Sequence, residues 1–226
     1  MAVWVLRIEK AITMTAIFLL NATTPLIQEL FPLLNEMPDV RIHPIILPEA
    51  DTAVLNEFET GNNVFLISTP FFDEFTDFNP GYAAFLLEYL NSLVAWIQQM
   101  VRLLAQQGKP GTFIFFTTNP NVRGFLKYPI SPILDESLHA FLKTLSKELH
   151  SLNFHFYALC LEPLQCLVKD PIQVRTYRKK MAAHAMSKMP LKVDGINSII
   201  RSICEGNLSL VSGSVLPVGY GSVLGY

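Results

Sequence analysis

Short apolar runs alternate with segments of helical spacing along most of this chain, and that order limits the fold more than any motif does. The runs are Thr15–Leu20, Val40–Leu47, Asn63–Ser68, Thr112–Thr117, Phe154–Leu161 and Leu208–Val218. Between them, apolar residues recur at three- and four-residue intervals, the period of a helix with one buried face. Strands alternating with helices predict an α/β fold: one doubly wound, parallel sheet with helices on both faces. At 226 residues the chain suits a single domain over 1–226. Residues 1–10, where Val3–Ile8 alternates weakly, are expected to add an N-terminal arm or an extra strand.

The first helix is expected to be capped by Thr23 or Thr24 and to run to about Asn35, with Pro25 in its first turn and Pro32 kinking or shortening it. A long helix is predicted over Pro80–Gln107, ended by Gly108. Only Glu88 and Arg102 are charged within it, and apolar residues occur nearly all round. Such a helix is buried on most faces, so one side packs on the sheet and the other needs a partner. Another helix is predicted over Pro132–Ser151, with Leu134, Leu138, Phe141, Leu142, Leu145 and Leu149 at helical spacing and Asp135 and Glu136 in its first turn. Shorter helices are expected within 171–188 and 192–205.

Charge and composition exclude several functions. The formal net charge is −2, and the one basic cluster, Arg175 to Lys180, reads as a solvated helix face, so nucleic acid is not an expected partner. Cys160, Cys166 and Cys204 are odd in number and form no CxxC pair, which argues against a disulfide framework or structural zinc and for a reducing compartment, the cytoplasm by default. The five histidines form no HxH or HxxxH pair, so no metal site is expected. The apolar stretch Ala11–Leu20 follows Arg7 and Lys10 as in a signal peptide, but it sits where the first core strand belongs and is too short to span a bilayer.

The first glycine in the chain is Gly61. Dinucleotide-binding sheets need glycines at the turn from first strand to first helix, so that pyrophosphate can reach backbone N–H groups. Here that turn contains Asn21, Ala22, Thr23, Thr24 and Pro25. Side chains fill the space a phosphate requires, and NAD(P)H binding is predicted to be lost.

From Gly111 onward the residues resemble the short-chain dehydrogenase/reductase family, nearest its 3-oxoacyl-carrier-protein reductase type. The family's Gly-x-Ile-x-x-x-Ser-Ser strand falls on Gly111 to Thr118, with Phe113 at the Ile position and Thr117 and Thr118 at the two Ser positions. Its helix pattern Leu-x-x-Phe-x-Lys-x-Leu-x-x-Glu matches Leu138, Phe141, Lys143, Leu145 and Glu148 without a gap. Its C-terminal Thr-Gly-x-x-x-x-Val-Asp-Gly-Gly is similar to the segment containing Gly213, Gly219 and Gly221, and Met189-Pro190-Leu191 is similar to the short apolar stretch before its last helix. The resemblance implies a Rossmann-like fold and an active site of Ser, Tyr and Lys. On the family's spacing those positions are Thr118, Ser131 and Asp135, the family's Asn-Asn-Ala-Gly falls on Ile67 to Pro70, and its Pro-Gly glycine is replaced by Glu162. In the family the Tyr is the general acid and the Lys lowers its pKa and holds the nicotinamide ribose. Asp135 inverts the charge that this chemistry requires, and a carboxylate raises a neighbouring acid's pKa. Tyr128 is the weak candidate for rescue, with Pro132 rather than Lys four residues later; Tyr177 with Lys180 is another. A nucleophilic site built on Thr117, Thr118 and Ser131 lacks an obvious positioned base.

Three functional readings stay open. The first is a catalytically inactive homologue, a scaffold or non-catalytic subunit that forms a homo-dimer or tetramer, or a hetero-oligomer with an active ketoacyl reductase, through helices 80–107 and 132–151. The second is a remodelled pocket for an acyl or aromatic small molecule, lined by Phe71, Phe72, Phe75 and Phe78. The third is a residual NAD(P)H-dependent oxidoreductase.

Overall fold

A computed structural model of the chain describes residues 15–20, 24–45, 58, 61–69, 80–119, 132–165, 171–181 and 190–219. Residues 1–10, Asn21 to Thr23, Phe71 to Phe78, Tyr128, Ser131 and Cys166 lie outside them. The described strands are β1 (Thr15–Leu20), β2 (Val40–Ile45), β3 (Asn63–Ser68), β4 (Gly111–Thr118), β5 (Phe154–Leu161) and β6 (Ser214–Val218). They form one sheet in the order β2-β1-β3-β4-β5-β6, and every pairing is parallel. The order reverses between β1 and β3, the switch point at which open α/β sheets form a crevice beyond their strand ends.

Alternation along each strand divides the core into two layers. On one face, Ile17, Leu19, Val64, Leu66, Ile114, Phe116 and Leu159 pack under α1 (Pro25–Asn35) and α5 (Val193–Cys204), which contribute Leu26, Ile27, Leu30 and Leu34, and Ile196, Ile200 and Ile203. On the other face lie α2 (Pro80–Gln106) and α3 (Pro132–Leu149), with Trp96, Ile97, Met100, Leu138 and Leu142 against the sheet. The doubly wound arrangement with helices on both faces is therefore present. A fifth helix, α4 (Pro171–Met181), carries exposed Arg175, Arg178 and Lys179.

An aromatic ladder crosses the second layer. Phe18, Phe65, Phe113 and Phe156 are in register on four neighbouring strands. Their rings stack at 4.9, 4.6 and 5.0 Å between centroids, and His43 on β2 stacks on Phe18 at 5.0 Å. These separations lie in the favourable range for aromatic pairs.

Some element boundaries differ from the sequence reading. Pro32 lies inside α1 on its exposed side and does not shorten it, since the helix continues to Asn35. Thr24 occupies the N-cap position with extended backbone, yet its side chain makes no capping hydrogen bond. Helix α2 ends one residue early, at Gln106. Gly108 then adopts φ +64°, and Lys109 N–H donates to Leu104 O while Gly108 N–H donates to Ala105 O. Those paired bonds form the Schellman stop expected of a glycine there. Helix α3 gives way at Leu149 to a 3-10 turn, His150–Leu152. The last strand starts at Ser214, not Leu208, because Ser209–Val211 forms a 3-10 turn with Leu210 fully in solvent.

Candidate functional site

The crevice lies at the C-terminal ends of β3, β4 and β5, beside the first turn of α1. It is lined by Leu26, Ser68, Thr69, Thr117, Thr118 and Glu162, with Phe116, Leu161 and Leu164, and it encloses about 20 Å³. That volume holds about one water molecule. At the start of α1 the first residue is Pro25, which has no N–H to offer an anion, and Leu26 lies 2% exposed against the crevice.

Asp135 sits in the first turn of α3 and is 4% exposed. Its Oδ2 accepts a hydrogen bond from the backbone N–H of Thr118, at 2.9 Å. The carboxylate thus ties the start of α3 to the last residue of β4. The two residues that stand at the family's Ser and Lys positions are joined to each other, through the backbone of one and the side chain of the other.

One turn further along α3, His139 packs against the same strand. Thr117 Oγ1 and His139 Nε2 are hydrogen-bonded at 2.9 Å, and His139 Nδ1 lies 3.7 Å from Glu136 Oε1. The sequence reading found no positioned base beside Thr117; the structure places His139 there. Thr117 is 1% exposed, so its hydroxyl is enclosed between β4 and α3 rather than offered to solvent. Burial lowers the His139 pKa below 6.5, against the opposing attraction of Glu136. The imidazole is neutral at pH 7. Cys160, opposite Thr117 on β5, is a buried thiol pushed up to about 11 by desolvation and then by the Asp135 charge. It stays protonated at neutral pH.

Glu162 follows β5 and is 1% exposed, its N–H donating to Val218 O. Its side chain lies across Gly219: a Cβ placed on that glycine would meet Glu162 Cδ at 2.2 Å and Cγ at 2.3 Å. Glycine at 219 thus leaves the space that the glutamate fills. Sequence reasoning identified Glu162 but missed both its pairing with Gly219 and the Thr117–His139 bond. Each joins separate elements: the parallel register of β5 and β6 brings Glu162 to Gly219, and the packing of α3 against β4 brings His139 to Thr117.

Thr118, Asp135 and Glu162 therefore converge on one end of the sheet, with Thr24 and Pro25 at the helix that borders it. Asn21, Ala22, Thr23, Tyr128 and Ser131 fall outside the described residues, and the side chains of Tyr177 and Lys180 are likewise undescribed. Among the described residues, no group of three or more His, Cys, Asp and Glu side chains is arranged to hold a metal. Among them, too, no helix is long and apolar enough to cross a membrane.

No protein-family model matches the chain, and no curated protein matches it by sequence. Solved structures do match. An oxidoreductase of the short-chain dehydrogenase/reductase family from Burkholderia thailandensis superposes with a TM-score of 0.70 at 15% identity, covering 94% of each chain. Acetoin dehydrogenase from Enterobacter cloacae gives 0.68 at 17% identity, over 96% of this chain and 98% of that one. The 3-ketoacyl-(acyl-carrier-protein) reductase from Brucella melitensis, solved with NADH, gives 0.65 at 11% identity, over 90% and 96%. The chain has the Rossmann-like fold of the short-chain dehydrogenases/reductases.

Proposed function

We propose that this chain is a non-catalytic protein on the reductase fold, a scaffold or subunit that works by pairing with another chain through α2 and α3. The resemblance to ketoacyl reductases makes an active reductase of fatty-acid or polyketide metabolism one class of partner, and a second copy the other. The observation that carries the reading is Asp135. A cation is needed at that position to lower a phenol's pKa and hold a ribose, and the residue present is a carboxylate engaged with the Thr118 backbone.

The crevice supports the same reading, because its residues do not fit a dinucleotide. Pro25 offers no N–H, Leu26 fills the first turn, Glu162 brings a buried carboxyl group, and about 20 Å³ remains. The long helix supports the scaffold role: described side chains from Ala83 to Ser92 are exposed or half-buried, Phe85 and Leu87 among the exposed.

Turnover of a 3-ketoacyl thioester with NADPH, followed by nicotinamide absorbance, tests the proposal. The expected rate equals the enzyme-free background. A rate above background that is abolished by Tyr128→Phe would establish a working reductase and overturn it.

A further inference from the structure

A cavity separate from the crevice, sharing no residue with it, lies between the middle of α1 and the start of α5. It is a groove of about 460 Å³. That falls in the range of small-molecule sites, roughly 300–1,000 Å³. Helix α1 contributes Glu29, Pro32 and Leu33, whose spacing of three and four places them on one stripe. The N-cap and first turn of α5 contribute Lys192, Val193 and Asp194, and Gln165 follows β5. Pro32, half-buried Leu33 and buried Val193 supply apolar surface.

The polar groups around the groove are unmet. Glu29, Lys192 and Asp194 are exposed, and none has a side-chain hydrogen bond or ion pair among the described residues. Pro32 has no N–H, so the carbonyl of Gln28, four residues earlier, lacks the bond that a helix would give it. Asn197 lies three residues after Asp194 and four after Val193, on the same stripe of α5. Its buried Oδ1 has no hydrogen-bond partner among the described residues. Two carboxylates, the Gln28 carbonyl and the Asn197 Oδ1 are thus acceptors, set against Lys192 as donor; the Gln165 amide serves either way.

We propose that this groove binds a small primary amine with an apolar body, an arylalkyl- or alkylammonium cation. An ammonium group has three donors and no acceptor, the complement of that set. Glu29 on one helix and Asp194 on the other hold its charge, Gln28 O takes a further N–H, and the hydrocarbon body lies on Pro32, Leu33 and Val193. An apolar anion is disfavoured, because it sets its charge against two carboxylates for one ammonium. An amine held in this way bridges α1 and α5, and its binding stabilises the folded chain. The proposal does not rest on the scaffold reading: amine binding and cofactor turnover are separate measurements at separate sites.

Calorimetric titration of the full chain with 2-phenylethylamine at pH 7 tests it, with 2-phenylethanol and 3-phenylpropanoate as the neutral and anionic counterparts. Saturable binding of the amine is expected, ~10-fold tighter than that of either counterpart. Glu29→Gln and Asp194→Asn, both at exposed positions, are each expected to weaken it ~5-fold. Pro32→Ala gives Gln28 O a helical N–H. It is expected to weaken amine binding while keeping or raising the melting temperature, which separates loss of the acceptor from loss of the fold. An absence of saturable amine binding, equal binding of the alcohol, or amine binding unchanged in both E29Q and D194N would overturn the proposal.

Discussion

Glu162 and His139 are both buried near the C-terminal ends of the strands. Glu162 occupies the volume above Gly219, and a methyl group there would stand 2.2 Å from its Cδ. Gly219→Ala should therefore cost about 1–3 kcal/mol through overpacking, read as a lower urea midpoint. Adding Glu162→Gly should return much of that loss, because the clash then has no second party; equal midpoints for G219A and E162G/G219A would show that the two residues do not compete for space. His139 makes a separate prediction. Its folded-state pKa lies below the unfolded value of 6.5, so between the two the unfolded chain binds more protons. Stability is then fully present above pH 6.5 and falls as pH drops through the folded pKa. His155, also lowered by burial, acts in the same sense. His139→Gln should flatten the dependence of melting temperature on pH below 6.5, and an unchanged slope would count against a buried neutral imidazole.

At the scale of elements, a ladder of stacked rings runs across the sheet beside its hydrogen bonds. Phe113 lies in the middle, stacked on Phe65 and Phe156 and buried completely. Phe113→Ala should cost about 3–5 kcal/mol in chemical unfolding, with Phe113→Leu milder; a loss below about 1 kcal/mol would mean that the ladder adds little. The strands were legible in sequence because buried parallel strands read as continuous apolar runs, and Asn63–Ser68 and Phe154–Leu161 match the structure at both ends. The ladder itself was not legible, since register across a parallel sheet leaves no local trace. The stop at Gly108 was legible because a left-handed cap is a local requirement of one residue.

For the whole molecule, fold and site separate cleanly. The reductase fold persists at 11–17% identity to solved structures, so its core pattern tolerates almost complete replacement of sequence. On the family's spacing, the reductase chemistry calls for a cation at 135, a glycine at 162 and open backbone before α1, where this chain has Asp135, Glu162 and Pro25. Those three substitutions were legible one by one from spacing. Their convergence at one end of the sheet, where Thr118, Asp135 and Glu162 meet, required the strand ends to be brought together. Calorimetric titration of the purified chain with NADPH and NADH tests this account most directly. It predicts no binding heat at millimolar cofactor, whereas saturable binding in the micromolar range would contradict it and show that the first turn still admits a pyrophosphate.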